Sequence, residues 1–143
     1  MSTLEKVYQR LQDLFIGQQI EAVSWHEKWG SPVFSLANGS AVAVRVYVST
    51  SDMDLACVIQ HNEESSYFWI DYGDAFGDTL PQLVNGTQGS TIDKFRHCVG
   101  QTVEAVQLKG TGQELAIRLL VSNKSTIEYH SSYRSTDLSI VVY

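Results

Sequence analysis

The sequence predicts an α+β protein: antiparallel sheet structure built from two tandem helix-plus-four-strand meander repeats, with an extra central strand between them. Three observations predict it. An octamer recurs, "GQQIEAVS" from Gly17 and "GQTVEAVQ" from Gly100. Helix-opening segments precede both copies, "STLEK" at Ser2 and "STIDK" at Ser90. After each octamer, apolar residues recur with the period of a strand rather than that of a helix. The expected organisation is a single domain over 1–143. Repeats span 1–60 and 90–143, joined by an acidic, aromatic segment at 61–89.

The octamers lie 83 residues apart, and an ungapped offset carries the comparison to the end of the chain. Phe34 then falls on Ile117, Leu36 on Leu119, Val44 on Ile127 and Ile59 on Val142. Two copies imply pseudo-twofold symmetry rather than a solenoid.

Each element has its own reason. Ser2-x-x-Glu5 is a capping box, in which the hydroxyl accepts an orphan N–H and the carboxylate reaches back. Leu4, Val7, Tyr8, Leu11 and Leu14 follow at helical spacing, and Gly17 ends the helix. In the second copy Ser90 would cap a shorter helix, with Ile92, Phe95 and Val99 inward and Gly100 ending it. Ile20, Ala22 and Ser24 alternate with Glu21, Val23 and Trp25 as a first strand. Val33–Ala37 runs into Asn38-Gly39, a hairpin signal. Ala41–Val48 follows, with Val42, Val44, Val46 and Val48 on one face, and Leu55–Gln60 makes a fourth strand. The matching strands are Thr102–Lys109, Glu114–Val121, Thr126–Ser131 and Leu138–Tyr143. Tyr67–Tyr72 reads as the extra strand.

Composition excludes several classes. The chain is 43% hydrophobic and 18% charged, ordinary for a globular domain. Its apolar runs fall short of a membrane span. "MSTLEKVYQR" lacks an apolar signal region, so a cytoplasmic protein is expected. Cys57 and Cys98 then read as small core residues in a reducing compartment. The N-x-S/T sequons at Asn38, Asn85 and Asn123 read as turn residues rather than glycan acceptors.

The net charge is −6, and its placement matters more than its size. From Val46 to Asp93 there is no lysine or arginine, and the net charge of that span is −8, against +2 for the rest. Such a field repels nucleic-acid phosphates and attracts cations or basic proteins.

No catalytic signature stands out. His26, His61, His97 and His130 lie outside any G-x-S-x-G motif. Asp71, Asp74 and Asp78 have the wrong spacing for a calcium loop. No C-x-x-C or H-x-x-x-H pair suits zinc. The glycines at 73, 77, 86 and 89 precede a helix, but the loop is acidic and no lysine follows at P-loop spacing. No cofactor, metal or nucleic acid is therefore expected.

What remains is "SYFWIDYGDAFGD", Ser66–Asp78. On an extended Tyr67–Tyr72, the side chains of Phe68, Ile70 and Tyr72 share one face, a core face. Tyr67, Trp69 and Asp71 share the other, where two amphipathic aromatics stand beside an acid. Asp74, Phe76 and Asp78 extend that character, and Glu63 and Glu64 lie at its rim. Aromatic anchors ringed by carboxylates suit a basic protein partner.

This profile resembles the small, acidic, cytoplasmic immunity proteins of bacterial toxin systems. The resemblance is one of overall character and carries over no residue. It implies a non-catalytic protein that neutralises a cognate, basic, nuclease-like toxin domain by occlusion, its carboxylates standing in for phosphates. Two other classes fit the same composition: an acidic secretion chaperone or adaptor, and a small-molecule-binding domain or enzyme with a pocket between the two halves.

Overall fold

Helix α1, Thr3–Phe15, turns Val7, Leu11, Leu14 and Phe15 inward. A helix this short draws its stability from packing rather than from propensity. Past its end, Gly17 takes φ 83°, a left-handed conformation that glycine adopts without strain. Tyr8, expected on the inward stripe, is instead a partly exposed side chain. The structure is a computed structural model and describes residues 3–26, 31–48, 55–70, 91–111, 114–132 and 136–142.

Strands β1 (Ile20–His26), β2 (Ser31–Leu36), β3 (Ala41–Val48), β4 (Leu55–His61) and β5 (Glu64–Ile70) form an antiparallel meander, each beside the next. Strands β6 (Val103–Thr111), β7 (Glu114–Val121), β8 (Ser125–Ser132) and β9 (Thr136–Val142) form a second one. The α+β class with antiparallel sheets is therefore correct. The extra strand is central only in sequence. In space it is the last strand of the first sheet, and it begins three residues earlier than the periodicity suggested.

The inner faces of both sheets, α1 and the segment before β6 bury one contiguous cluster. Val42, Val44 and Val46 all face it, as their alternation predicts. At its centre Phe34 meets Phe15 edge-on at 5.5 Å and Phe95 edge-on at 5.6 Å. Those three rings join α1, β2 and the second helical segment.

That segment, Thr91–Cys98, is a 3₁₀ helix rather than an α-helix. With three residues per turn, Phe95 and Cys98 eclipse and both are buried. Val99, expected inward from α-helical spacing, falls off that line and is 42% exposed. The strand alternation also needs correction in β1. A bulge between Ile20 and Ala22 breaks the period. Ile20 is buried, but beyond the bulge Val23 and Trp25 pack on the core while Ala22 and Ser24 face water.

The halves meet at the starts of β1 and β6. Gly17 N–H donates to Val103 C=O at 2.9 Å, and Gly100 N–H donates to Ile20 C=O at 2.7 Å. Ile20 N–H donates to Gln101 C=O and Val103 N–H to Gln18 C=O, both at 2.9 Å. Each bond is the mirror of another under exchange of residues 83 apart. Both β1 and β6 carry a bulge at the matching step, Ile20/Ala22 and Val103/Ala105.

Beyond β1 and β6 the ungapped offset fails. Phe34 stands opposite Val42, and Leu119 stands opposite Ile127, so these pairs match at an offset of 85. Val42 faces His61 across β4, and Ile127 faces Ile140 across β9, which brings the offset to 79. The second half has two more residues in its first hairpin and six fewer in its third. Phe34 thus matches Leu119 rather than Ile117, and Val44 matches Tyr129 rather than Ile127. Even shifts preserve which face a side chain occupies, so Ile117 and Ile127 are still buried.

Candidate protein-binding face

The candidate face begins at the turn between β4 and β5. Asn62 takes φ 58°, a left-handed position that asparagine tolerates. Its N–H donates to Ala41 C=O at 2.8 Å, and its Oδ1 accepts from Ala41 N–H at 2.9 Å. These two bonds fix the tip against β3. Glu63 and Glu64 leave that tip exposed to water.

Along β5 the faces separate as alternation requires. Ile70 is buried and Phe68 packs against the core. Tyr67 is 59% exposed and Trp69 56%, more than any other large apolar side chain among the described residues. Directly opposite Tyr67 on β4 is Val58, and opposite Trp69 is Ala56. Cross-strand partners share a face. Val58 and Ala56 are nonetheless buried, so small residues form the floor from which the two rings rise. The next residue in the Val58 row is Arg45 on β3. Asp71, Asp74, Phe76 and Asp78 lie outside the described residues.

Arg45 was not singled out by the sequence. It sits one residue before the span that lacks basic residues, and only the register brings it into the row of Tyr67. The described face therefore combines two aromatics and one half-buried guanidinium, with Glu63 at the turn that opens the strand and Glu64 on its opposite side.

A second feature also escaped the sequence. Leu4, Glu5, Tyr8, Gln107, Leu108 and Arg118 line a shallow groove of about 560 Å³ between α1 and β6–β7. Arg118 donates to Gln107 Oε1 at 3.1 Å and to the Glu128 carboxylate at 3.0 Å. Glu128 is buried although it stands on the outer face of its sheet, and the ion pair accounts for a carboxylate there. No local pattern signals this row, because its members come from three strands.

Burial pushes the Cys57 thiol up to about 12. Burial also pushes Cys98 up to about 12, with a backbone hydrogen bond opposing it. Burial thus favours the neutral thiol at both positions. His61 Nε2 lies 2.9 Å from Ser40 Oγ, a contact that links two neighbouring turns. His97 is exposed, and its C=O accepts from Asn123 Nδ2 at 2.8 Å. Among the described residues no three His, Cys, Asp or Glu side chains are grouped to hold a metal. No described helix is long and apolar enough to cross a membrane.

No protein-family model matches the chain, and neither does any curated protein or solved structure.

Proposed function

We propose that this chain is a non-catalytic protein-binding protein, a cytoplasmic immunity protein that neutralises a basic, nuclease-like toxin domain by covering its positive cleft. One observation carries the reading. Tyr67 and Trp69 stand more than half exposed on one strand, with Glu63 and Glu64 at its start. Large aromatics on a sheet make low-entropy anchors, and carboxylates at their rim steer a cationic partner. The surrounding span, net −8 from Val46 to Asp93, supplies the field.

The same reading includes a tandem duplication of one helix-plus-four-strand unit. Its support is the exchange of hydrogen bonds between residues 17–20 and 100–103 and the matched bulges. Among the described residues β5 has no counterpart in the second half, and it carries the aromatic face.

The test is affinity capture from the native host with wild type and Trp69→Ala as baits, followed by calorimetry on the basic protein retained. Trp69→Ala should cost about 2 kcal/mol or more of binding while the chain stays folded. Glu63→Gln with Glu64→Gln should slow association and flatten its salt dependence. An equimolar amount of the chain should silence the partner's nuclease activity. The reading fails if Trp69→Ala unfolds the chain and the charge variant associates as fast as wild type at low salt.

The groove between α1 and β6–β7 favours a second reading, a small-molecule binder with its pocket between the halves. An apolar floor with a fixed arginine is a common ligand-site chemistry. Tyr8→Ala should then abolish ligand-dependent stabilisation in a metabolite screen without weakening the protein partner.

A further inference from the structure

The hydrogen-bonding phase of β5 indicates how a partner is held, given the outer-face reading above. Asn62 N–H points to Ala41 on β3. In a trans peptide the His61 C=O points the opposite way, toward β5. Main-chain groups alternate sides along a strand, so His61, Ile59, Cys57 and Leu55 all bond toward β5. Their register partners are Glu64, Ser66, Phe68 and Ile70. Those residues direct their N–H and C=O groups at β4. Ser65, Tyr67 and Trp69 therefore direct theirs outward, away from β4.

Among the described residues, no strand pairs with that edge. Helix α1 meets β5 on the core side, where Ile70 and Phe68 join the cluster of Val7 and Leu11. Edge strands are usually guarded by lysine, proline or a bulge. β1 and β6 each carry a bulge. β5 pairs regularly over seven residues and contains no lysine or proline.

We propose that β5 accepts an extended segment of the basic partner as an added strand, bonded to the main chain of Ser65, Tyr67 and Trp69. The incoming segment carries lysine or arginine at alternate positions. On the outer face those cations lie against the exposed rings of Tyr67 and Trp69, with Glu63 at the turn that opens the strand and Glu64 on the opposite side of it. The positions between them are apolar and face the side of Phe68. Charge complementarity selects this occupant: the span Val46–Asp93, which contains β5, has net charge −8 and no lysine or arginine, and Arg45 stands two strands in from the edge.

A synthetic eight-residue peptide alternating lysine and valine, and its isomer with glutamate for lysine, test the idea on the full ¹⁵N-labelled chain. The lysine peptide should shift and protect the amides of Ser65, Tyr67 and Trp69, and leave those of Ser66 and Phe68 nearly unchanged. The glutamate peptide should do neither. Ser65→Pro removes one edge donor without touching the ladder to β4, and should weaken the lysine peptide about tenfold or more. Trp69→Ala should weaken it as well. If the peptide shifts the Trp69 indole and Arg45 but protects no edge amide, and Ser65→Pro binds like wild type, strand addition is overturned and the outer-face reading stands. If millimolar lysine peptide perturbs nothing on β5, both fall. The amide pattern of the wild type decides even where Ser65→Pro folds poorly.

Discussion

On the inner face of the first sheet Phe34 stands opposite Val42, and at the matching register of the second Leu119 stands opposite Ile127. All four are buried in one cluster. The outer faces tell a different story. Where the second sheet has the row Gln107, Arg118 and Glu128, the first has Ser24, Val33 and Ala43. One row is a hydrogen-bonded ion pair, and the other is small and uncharged. The first sheet then adds β5 with its exposed rings, and among the described residues the second ends at β9. The shared core holds the two inner faces to one chemistry. The outer faces, free of it, differ: an ion pair braces the second sheet, and two large rings stand exposed on the first.

The largest effects should come from the inner faces, and should be alike. Phe34→Ala should cost about 3–5 kcal/mol and Leu119→Ala about 2–5 kcal/mol in urea denaturation, as buried large-to-small changes do. Phe34 loses two edge-on ring contacts besides its volume, which places it at the upper end. A loss below about 1 kcal/mol at Leu119 alone would break the equivalence of the two cores.

The sealing of the core can be read through pH. Burial raises both thiols from 9.0 to about 12. A folded-state value above the unfolded one gives stability that is complete below pH 9 and lost as pH climbs through 12. In that window each buried thiol steepens the fall by up to about 1.4 kcal/mol per pH unit. Cys57→Ala carries no titrating group there. Its urea-derived stability should therefore decline less steeply than that of wild type between about pH 9.5 and 11. Parallel declines would mean that water reaches Cys57, and the first sheet's inner face would not be sealed.

On the outer faces the two sheets should separate cleanly. Arg118→Ala removes the guanidinium that holds a buried carboxylate and should cost about 2–3 kcal/mol of stability. It should leave partner binding intact. Trp69→Ala should do the reverse, with little change in urea midpoint and a binding loss of about 2 kcal/mol. Measuring both variants in both assays gives four numbers. Stability loss in both variants would make Trp69 part of the fold and remove the contrast.

The sequence made the core side readable and the register unreadable. Val42, Val44 and Val46 announce a buried face because β-branched residues at period two have one stable placement. The split of β5 into Phe68/Ile70 and Tyr67/Trp69 follows from the same alternation. Hairpin lengths leave no such trace. Moving the offset from 83 to 85 keeps every face, so apolar matching alone tolerated the wrong partner for Phe34. The bulge at Ile20/Ala22 and the 3₁₀ geometry at Phe95–Cys98 were hidden for the opposite reason. Each changes the period within a few residues, and the expected faces for Ala22 and Val99 went with it. Arg45 and the Arg118–Glu128 pair depend on which residues of neighbouring strands stand opposite one another, and that is set by register rather than by composition or period.

The smallest expected effect gives the finest comparison, at the two turns that open β3 and β8. Gly39 N–H donates to Leu36 C=O and Lys124 N–H to Val121 C=O, both at 3.0 Å. Asn38 Oδ1 accepts from Ser40 N–H, and Asn123 Oδ1 from Ser125 N–H, both at 2.9 Å. Two of the three sequons are thus the same turn. The difference is at the left-handed position, φ 88° at Gly39 and 66° at Lys124. A Cβ at Gly39 would meet nothing within 4 Å, so Gly39→Ala tests backbone strain alone. It should cost about 1 kcal/mol. Lys124→Gly relieves that strain but frees the unfolded chain, and should gain about 0.5 kcal/mol or less. Shifts of opposite sign in the urea midpoint, at unchanged slope, would mean one turn device written with two residues. Destabilisation by Lys124→Gly would instead give that lysine a contact of its own, and the halves would differ even where their backbones agree.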